Sequence, residues 1–586
     1  MPGFIGIIKE DPEDNLPELQ KAQGYLTYHD WYKVSEPFIR SGLALIQIQA
    51  KVLASSYQSS HVSGVDAWVD GESYNFKEVQ NLVTDSCHSL PGLLSHACGE
   101  NRLGKVLREI DGEYTALLYD KKNSQLMIIT DRHGLRPLYL YAGPGKMIFS
   151  SELKAFLAFE DFTPKLLPDA VNCFLELGHL LGDLTWFQNV TLIPPATILK
   201  IDISKAIVTE KKKYWGWGRI SPQNLPFKAA VQELGQIFKK SVRQRIFPGE
   251  KVAVPLSGGL DSRAVLAAIP EESCAGAFTF GKKGCRDVEI AEMVTVQRGV
   301  LHKKLEFNEE NWIPERFPAI WKTDGMISLL DLHASQFLED IRKLSPVNLN
   351  GYLGDVICGG SYLQEIAYDC RIDEGIAGQY YSRYSCLDEV KDEYYDGCHI
   401  DSYLISNRGR RLVNLGIQGS SKTVEQRKPF MSNEIIEFIY SLPDDYRLNG
   451  RLYHSALLTV FPGWFEKIPW QKTGIPISQK LTKFHKSWNK LKRVPVKLGW
   501  LEDLIEFHDY PKWMSGSGTR SLFQKILDPK TAMYPEFVDD EVITIFFKPD
   551  FYYNKKHTGL IGRILTLEVW LQQVFEKKYR DPEFQK

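Results

Sequence analysis

Two hydrophobic rhythms divide this chain. Through residue 213 the apolar positions fall in short runs: Phe4–Ile8, Leu43–Ile48, Ala67–Val69, Tyr114–Tyr119, Leu126–Thr130, Pro137–Tyr141, Lys146–Ser150 and Thr197–Ile201. Turn residues separate them, which predicts strands gathered into sheets packed on one another. Residues 214–226 are crowded with Gly, Pro and Trp, and this shift predicts a boundary between a domain at 1–213 and a second at 227–586. Beyond it the rhythm lengthens. Phe227–Ile246 repeats its apolar residues at helical spacing, and Asp287–Gly299 reads as a helix ended by glycine. Lys251–Leu256, Ala275–Phe280 and Val347–Leu349 are short apolar runs that predict buried strands. The remainder to Lys586 reads as mostly helical, with aromatic-rich connections and a flexible loop at Ser515–Gly518.

The apolar run Lys251–Leu256 leads into Ser-Gly-Gly-Leu-Asp-Ser at 257–262, and Ala264–Ile269 then predicts a helix. A strand, a small-residue turn and a helix N-terminus aim several backbone N–H groups at one point, where an anion can sit. The glycines let backbone approach phosphates closely. Asp261 suits an anion site only with a cation between carboxylate and phosphates, and Mg²⁺ carried by ATP is the natural candidate. The spacing is not that of a Walker loop.

Bulk properties narrow the setting. A formal net charge of −2 over 586 residues favours neither nucleic acid nor an anionic membrane as partner. No apolar run approaches the roughly 20 residues of a membrane span. The first residues lack a basic region followed by a long apolar stretch, and the nine cysteines are scattered, which predicts reduced thiols in a cytoplasm. Cys87-His88 and His96-Ala-Cys98 fit no common zinc spacing.

Several further motifs stand in order along the chain. They are Asp70-Gly-Glu-Ser-Tyr-Asn75, Asp111-Gly-Glu-Tyr114, Asp131-Arg-His-Gly-Leu-Arg-Pro-Leu-Tyr139 and Phe149-Ser-Ser-Glu-Leu-Lys154. After the 257–262 loop come Phe278-Thr-Phe-Gly281, Asn350-Gly-Tyr-Leu-Gly-Asp355, Glu425-Gln-Arg-Lys-Pro-Phe430 and Gln471-Lys-Thr-Gly474. Together they resemble the asparagine synthetase family over nearly the whole chain. The resemblance implies an N-terminal class II glutamine amidotransferase-like domain, an Ntn-hydrolase-like α/β/β/α sandwich. It implies a C-terminal α/β ATP-pyrophosphatase domain with a parallel sheet and many helices.

The N-terminal half departs from that family. Pro2 stands where a glutaminase of this class has its nucleophilic cysteine. Gln49, Ala50, Lys51 and Val52 stand where a glutamine-holding arginine belongs, and no Ser-Asp pair follows Asn75. This implies a retained scaffold without glutaminase activity, as in β-lactam synthetases and lasso peptide cyclases.

In the C-terminal half the resemblance implies an ATP-dependent amide ligase that adenylates a small-molecule or peptide carboxylate for attack by an amine. Ser257, Gly258, Gly259 and Ser262 would cradle pyrophosphate. Asp261 and Asp355 would bridge through Mg²⁺. Pro255, Phe280, Asn350 and Gly351 would line the AMP pocket, and Lys472 would stabilise charge building on the adenylate. Apolar neighbours Ile468, Trp470, Ile475 and Ile477 predict partial burial of Lys472.

Tyr352 stands where asparagine-forming members have glutamate and ring-closing members have tyrosine, so it implies a base for the amine. A phenol needs a partner for that, and Glu365, Glu374 and Glu389 are the candidates. Glu425 and Arg427 fit either a site wall or a structural salt bridge at a helix start. The Tyr380–Tyr395 segment fits substrate contact and plain packing equally. A homodimer is allowed. An ammonia-using asparagine synthetase-like enzyme and a nucleotide-binding pseudoenzyme are the competing readings.

Overall fold

The computed structural model describes residues 3–580 except 41, 51–59, 63, 84–86, 364–390, 397–399, 481, 483–484, 486–502, 540–542 and 544–556. The segment holding Glu365, Glu374 and Glu389, and most of the 380–395 stretch, lie outside the described residues.

Alternation along the first strands builds the N-terminal half. In Gly3–Ile8, Phe4 and Ile8 point one way and Ile5 and Ile7 the other. The first pair joins Leu43, Leu45, Leu117, Leu126, Ile128 and Ile201 in a core between two antiparallel sheets. One sheet runs Val190–Leu192, Tyr139–Gly143, Lys146–Ser150, Gly3–Ile8, Leu43–Ala50, Tyr32–Val34, with Phe38–Arg40 also on Leu43–Ala50. The other runs Ile207–Lys213, Thr197–Asp202, Gln125–Thr130, Gly112–Asp120, Val65–Ser73, Ser60–Val62. Ile5 and Ile7 face outward onto Leu19, Ala22 and Leu26 of the helix Leu16–Leu26. The helix Leu90–Gly99, capped by the Ser89 hydroxyl accepting from Gly92 N–H, covers the outer face of the second sheet. These layers make an α/β/β/α sandwich. Each fully buried Ile, Leu or Phe in it contributes about 1.5–3 kcal/mol.

The C-terminal half is built on five parallel strands in the order His302–Glu306, Cys274–Gly281, Val252–Pro255, Val347–Leu349, Glu425–Arg427. The chain starts in the centre, winds to one edge, then returns to the other side. The strand order reverses between Val252–Pro255 and Val347–Leu349. Ligands of open α/β sheets bind outside the strand ends at such a switch point.

Two expectations are corrected, and one strand is added. Glu425–Arg427 is an edge strand and not a helix start: its backbone pairs in register with Val347–Leu349. His302–Glu306 is a strand whose Lys303 and Lys304 hide it from a hydrophobicity reading, as suits a sheet edge. Ser515–Gly518 is not a loop. Gly516 joins the helices Tyr510–Ser515 and Ser517–Ile526, and a Cβ there would come within 2.1 Å of Glu309 Oε1.

The two halves meet through buried ion pairs, and the N-terminal motifs supply most of their acids. Arg427, fully buried, donates from Nε and Nη2 to Glu72 at 2.7 and 2.8 Å and from Nη1 to Glu250 at 2.6 Å. Arg136 bridges to Glu425 at 2.5 Å, Arg245 donates to Asp111 at 3.0 Å, and Lys428 pairs with Glu113. Glu152 takes Lys154 and Lys422, and Lys154 also reaches Asp324 at 3.0 Å. Burial pushes the Glu152 carboxyl up, but the two ammonium groups outweigh it and hold it down at about 2. Glu425 and Arg427 therefore take the structural role. No described helix is long and apolar enough to cross a membrane.

Candidate active site

The loop after Val252–Pro255 is held from several sides. Ser257 N–H donates to Ser262 Oγ at 3.1 Å, the two hydroxyls lie 3.2 Å apart, and Gly259 N–H donates to Ser257 Oγ at 3.2 Å. Asp287, from the helix Arg286–Arg298, accepts from Gly258 N–H at 2.7 Å. Arg263 is fully buried and donates to the carbonyls of Gly258, Ile468 and Pro469 at 3.3, 3.1 and 2.7 Å. Gln471 N–H donates to Gly258 O at 3.0 Å. The loop thus keeps one shape, with the first turn of the helix Asp261–Ala268 rising from it.

A second loop leaves Val347–Leu349 and comes down on the first. Two glycines permit this. A Cβ at Gly351 would lie 2.8 Å from Ser262 N, and one at Gly354 would lie 2.7 Å from Asp261 Cγ. Between them Leu353 is left-handed at φ 57°. The result places Asp355 N–H 3.0 Å from Asp261 Oδ2, while Tyr453 O–H donates to Asp261 Oδ1 at 2.8 Å.

Burial foremost, then the charge of Asp355, pushes the Asp261 carboxyl up to about 7; the bonds from Tyr453 and from the Asp355 N–H pull the other way. Two acids set side by side at a half-buried point suit a divalent cation. The folded protein holds this proton more tightly than the unfolded chain, so without a cation the Asp261 contribution to stability falls as pH rises from about 4 to about 7. A cation must displace the proton. Mg²⁺ affinity, titrated with nucleotide present, is expected to climb up to about pH 7 and then level. Tyr453→Phe should move that limb upward, and Asp261→Asn should flatten it. An unmoved profile in Tyr453→Phe would show that the phenol does not tune the acid.

Both loops open on a cavity of about 690 Å³, within the usual range for a small-molecule site. Pro255, Ser257, Gly259, Asp261, Ser262, Phe280, Asn350 and Gly351 line it together; Gly258 lies beside it, and Asp355 faces Asp261 at its edge. Phe280 stacks with His333 at 6.3 Å and meets Phe507 edge-on at 5.7 Å, forming an aromatic wall. His333 Nδ1 lies 3.2 Å from the Tyr510 hydroxyl, and burial followed by the nearby Arg316 keeps the imidazole neutral.

Two further expected residues stand outside that lining. Lys472 is exposed, contrary to the burial its neighbours suggested. Residues 470–475 form a tight turn, with Gly474 N–H on Trp470 O at 2.7 Å, so the tip projects and leaves Nζ 5.4 Å from the Trp470 ring. It still adjoins Gln471, which touches the loop. Tyr352 is buried. Its hydroxyl has no hydrogen-bond partner among the described residues, and burial, then Tyr362, push its pKa well up.

Sequence reasoning missed Asp287, Arg263, Tyr453 and His333. Arg263 carried a signal, since it follows the motif directly. Asp287 and Tyr453 reach the loop, and His333 the aromatic wall, from other segments and carry none.

Known proteins bear on this geometry. Residues 57–215 match the glutamine amidotransferase domain model, and residues 233–383 match asparagine synthase. A Methanocaldococcus jannaschii protein described as "Putative asparagine synthetase [glutamine-hydrolyzing] 2" is 29% identical over 305 residues, covering 50% of this chain and 58% of that one. A second protein from that organism, with the same description numbered 1, is 24% identical over 400 residues, covering 65% of each chain. The carboxyethyl-arginine β-lactam-synthase of Streptomyces clavuligerus is 25% identical over 270 residues, 44% of this chain and 48% of its own length. The matched stretches span from about half to just under two thirds of these relatives. By two domain models in this order and by these relatives, both halves of the chain are similar to the asparagine synthetase family.

Proposed function

We propose that the protein is an ATP-dependent carbon–nitrogen ligase. A carboxylate oxygen attacks the α-phosphorus of ATP and pyrophosphate leaves. An amine then attacks the acyl carbon, the C–N bond forms, AMP departs and the amine loses a proton. One observation carries the reading. A rigid Ser-Gly-Gly-Leu-Asp-Ser loop and a second aspartate converge at the switch point of a parallel sheet, on a cavity large enough for nucleotide and acyl group.

The residues present fit the substrates. The loop amides, the hydroxyls of Ser257 and Ser262 and the N-terminus of the Asp261–Ala268 helix suit the leaving pyrophosphate. Asp261 and Asp355 would hold Mg²⁺, which neutralises phosphate charge when bound. Pro255, Phe280, Asn350 and Gly351 would border the adenosine. Lys472, free to swing from its turn, would meet charge developing on the acyl-adenylate. Tyr352 would assist proton removal from the amine.

The amine would come from the substrate or from solution and not from glutamine. Pro2 supports this, and so does the engagement of Glu72 and Glu113 with Arg427 and Lys428. Localisation in a cytoplasm accords with this substrate set.

The test is pyrophosphate release from Mg·ATP across a panel of carboxylates. Release that depends on the carboxylate is expected, with Lys472→Ala lowering it. Release with aspartate and ammonia alone would favour an ammonia-using asparagine synthetase. Nucleotide binding with no release for any acid would favour a pseudoenzyme. Tyr352→Phe is expected to slow amide formation while sparing pyrophosphate release; an unchanged amide rate removes the phenol from the chemistry.

A further inference from the structure

From the walls of this cavity we infer that the carboxylate substrate has an apolar body, seated on the helical face of Leu412, Val413, Gly416 and Ile417. This rests on the adenylation reading and names its acyl subsite.

Residues Ile405–Asn414 are π-helical and lead directly into the α-helix Leu415–Ser421. Long π segments are rare and gather at functional sites. The run presents two unlike faces. One is fixed to the N-terminal domain by side chain–backbone bonds. Arg410 donates from Nε to Gly134 O at 2.9 Å and from Nη2 to Ile193 O at 2.8 Å. Asn414 Nδ2 donates to Leu135 O at 3.0 Å, and Asn407 Oδ1 accepts from Gly182 N–H at 2.8 Å.

The other face lines the cavity with the uncharged residues 412, 413, 416 and 417, preceded one turn earlier by Arg408. Leu338 and Ile341, one helical turn apart on the helix Leu338–Leu344, line the same cavity. Val413 stays 36% exposed. An apolar side chain left open in a cavity shared with the nucleotide loop suits an apolar ligand, whose burial is favourable there.

Aspartate suits this wall poorly. A short acid with charge at both ends would leave the apolar face uncovered. Of the charged groups lining this part of the cavity, Asp331 is acted on by Arg316 foremost and then by Arg408, which lines the cavity with it. The anchoring face also gives the N-terminal domain a use without glutaminase chemistry, since it fixes the acyl wall from behind.

The test uses the full chain with Mg·ATP and compares 4-methylpentanoate and 3-phenylpropanoate with aspartate and glutamate. The apolar acids are expected to lead in kcat/KM by at least about tenfold. Val413→Asp should cost them about tenfold or more in kcat/KM while leaving the KM for ATP unchanged. Val413→Leu should keep the preference. Val413 is partly exposed, so its replacement leaves the core alone. A lead for aspartate or glutamate, or unchanged kinetics in Val413→Asp, would overturn the subsite and spare the ligase reading. Absence of pyrophosphate release with every acid, in protein that still binds nucleotide, would overturn the ligase reading and the subsite with it.

Discussion

Asp261→Asn should lower carboxylate-dependent pyrophosphate release by roughly 10²–10³-fold, the scale seen when a group opposing transition-state charge is lost. The amide keeps the shape and one acceptor oxygen for Tyr453 at 2.8 Å, and gives up the acceptor that takes the Asp355 N–H at 3.0 Å. What it lacks is the charge. Asp355 alone, exposed at the cavity edge, then faces the cation. Nucleotide affinity should fall mainly through its Mg²⁺ dependence. The check is steady-state pyrophosphate release at saturating Mg²⁺, with a fluorescent nucleotide analogue confirming that the pocket is intact. A variant within a few-fold of the parent would remove Asp261 from the chemistry.

Arg427→Met should destabilise the protein by about 3–5 kcal/mol, because it strands buried acids without their cation. Arg427 has no exposed surface and serves Glu72 from one domain and Glu250 from the other. Those acids, with Burial working against them, keep the guanidinium charged well beyond its ordinary range. Urea unfolding should show an early loss of contact between the halves. Adding Glu72→Gln to Arg427→Met should recover part of the loss, since it removes one stranded charge. Equal stability of Arg427→Met and the parent would mean that the interface does not depend on this cluster.

Much of the C-terminal site was legible because its chemistry is local. The strand, turn and helix around Ser257–Ser262 are consecutive, and Asn350 follows its strand directly, so spacing alone set them at strand ends. The meeting of Asp261 with Asp355 was implied by the family resemblance, and the two loops do bring them together. Contacts made across the fold stayed hidden. Tyr453 reaches Asp261 from 192 positions away, and nothing in its neighbourhood marks it.

Lys472 shows a different failure. Its apolar neighbours pack, but the turn they anchor pushes the lysine outward. The N-terminal motifs implied a retained scaffold. In the structure their acids face Arg427, Arg245 and Lys428 across the domain interface.

The chemical step itself can be followed with a carboxylate labelled with ¹⁸O in both oxygens. Attack on the α-phosphorus predicts one labelled oxygen in the AMP released and none in pyrophosphate. Label found in a phosphate from the far end of the nucleotide, or AMP without label while amide accumulates, would contradict it.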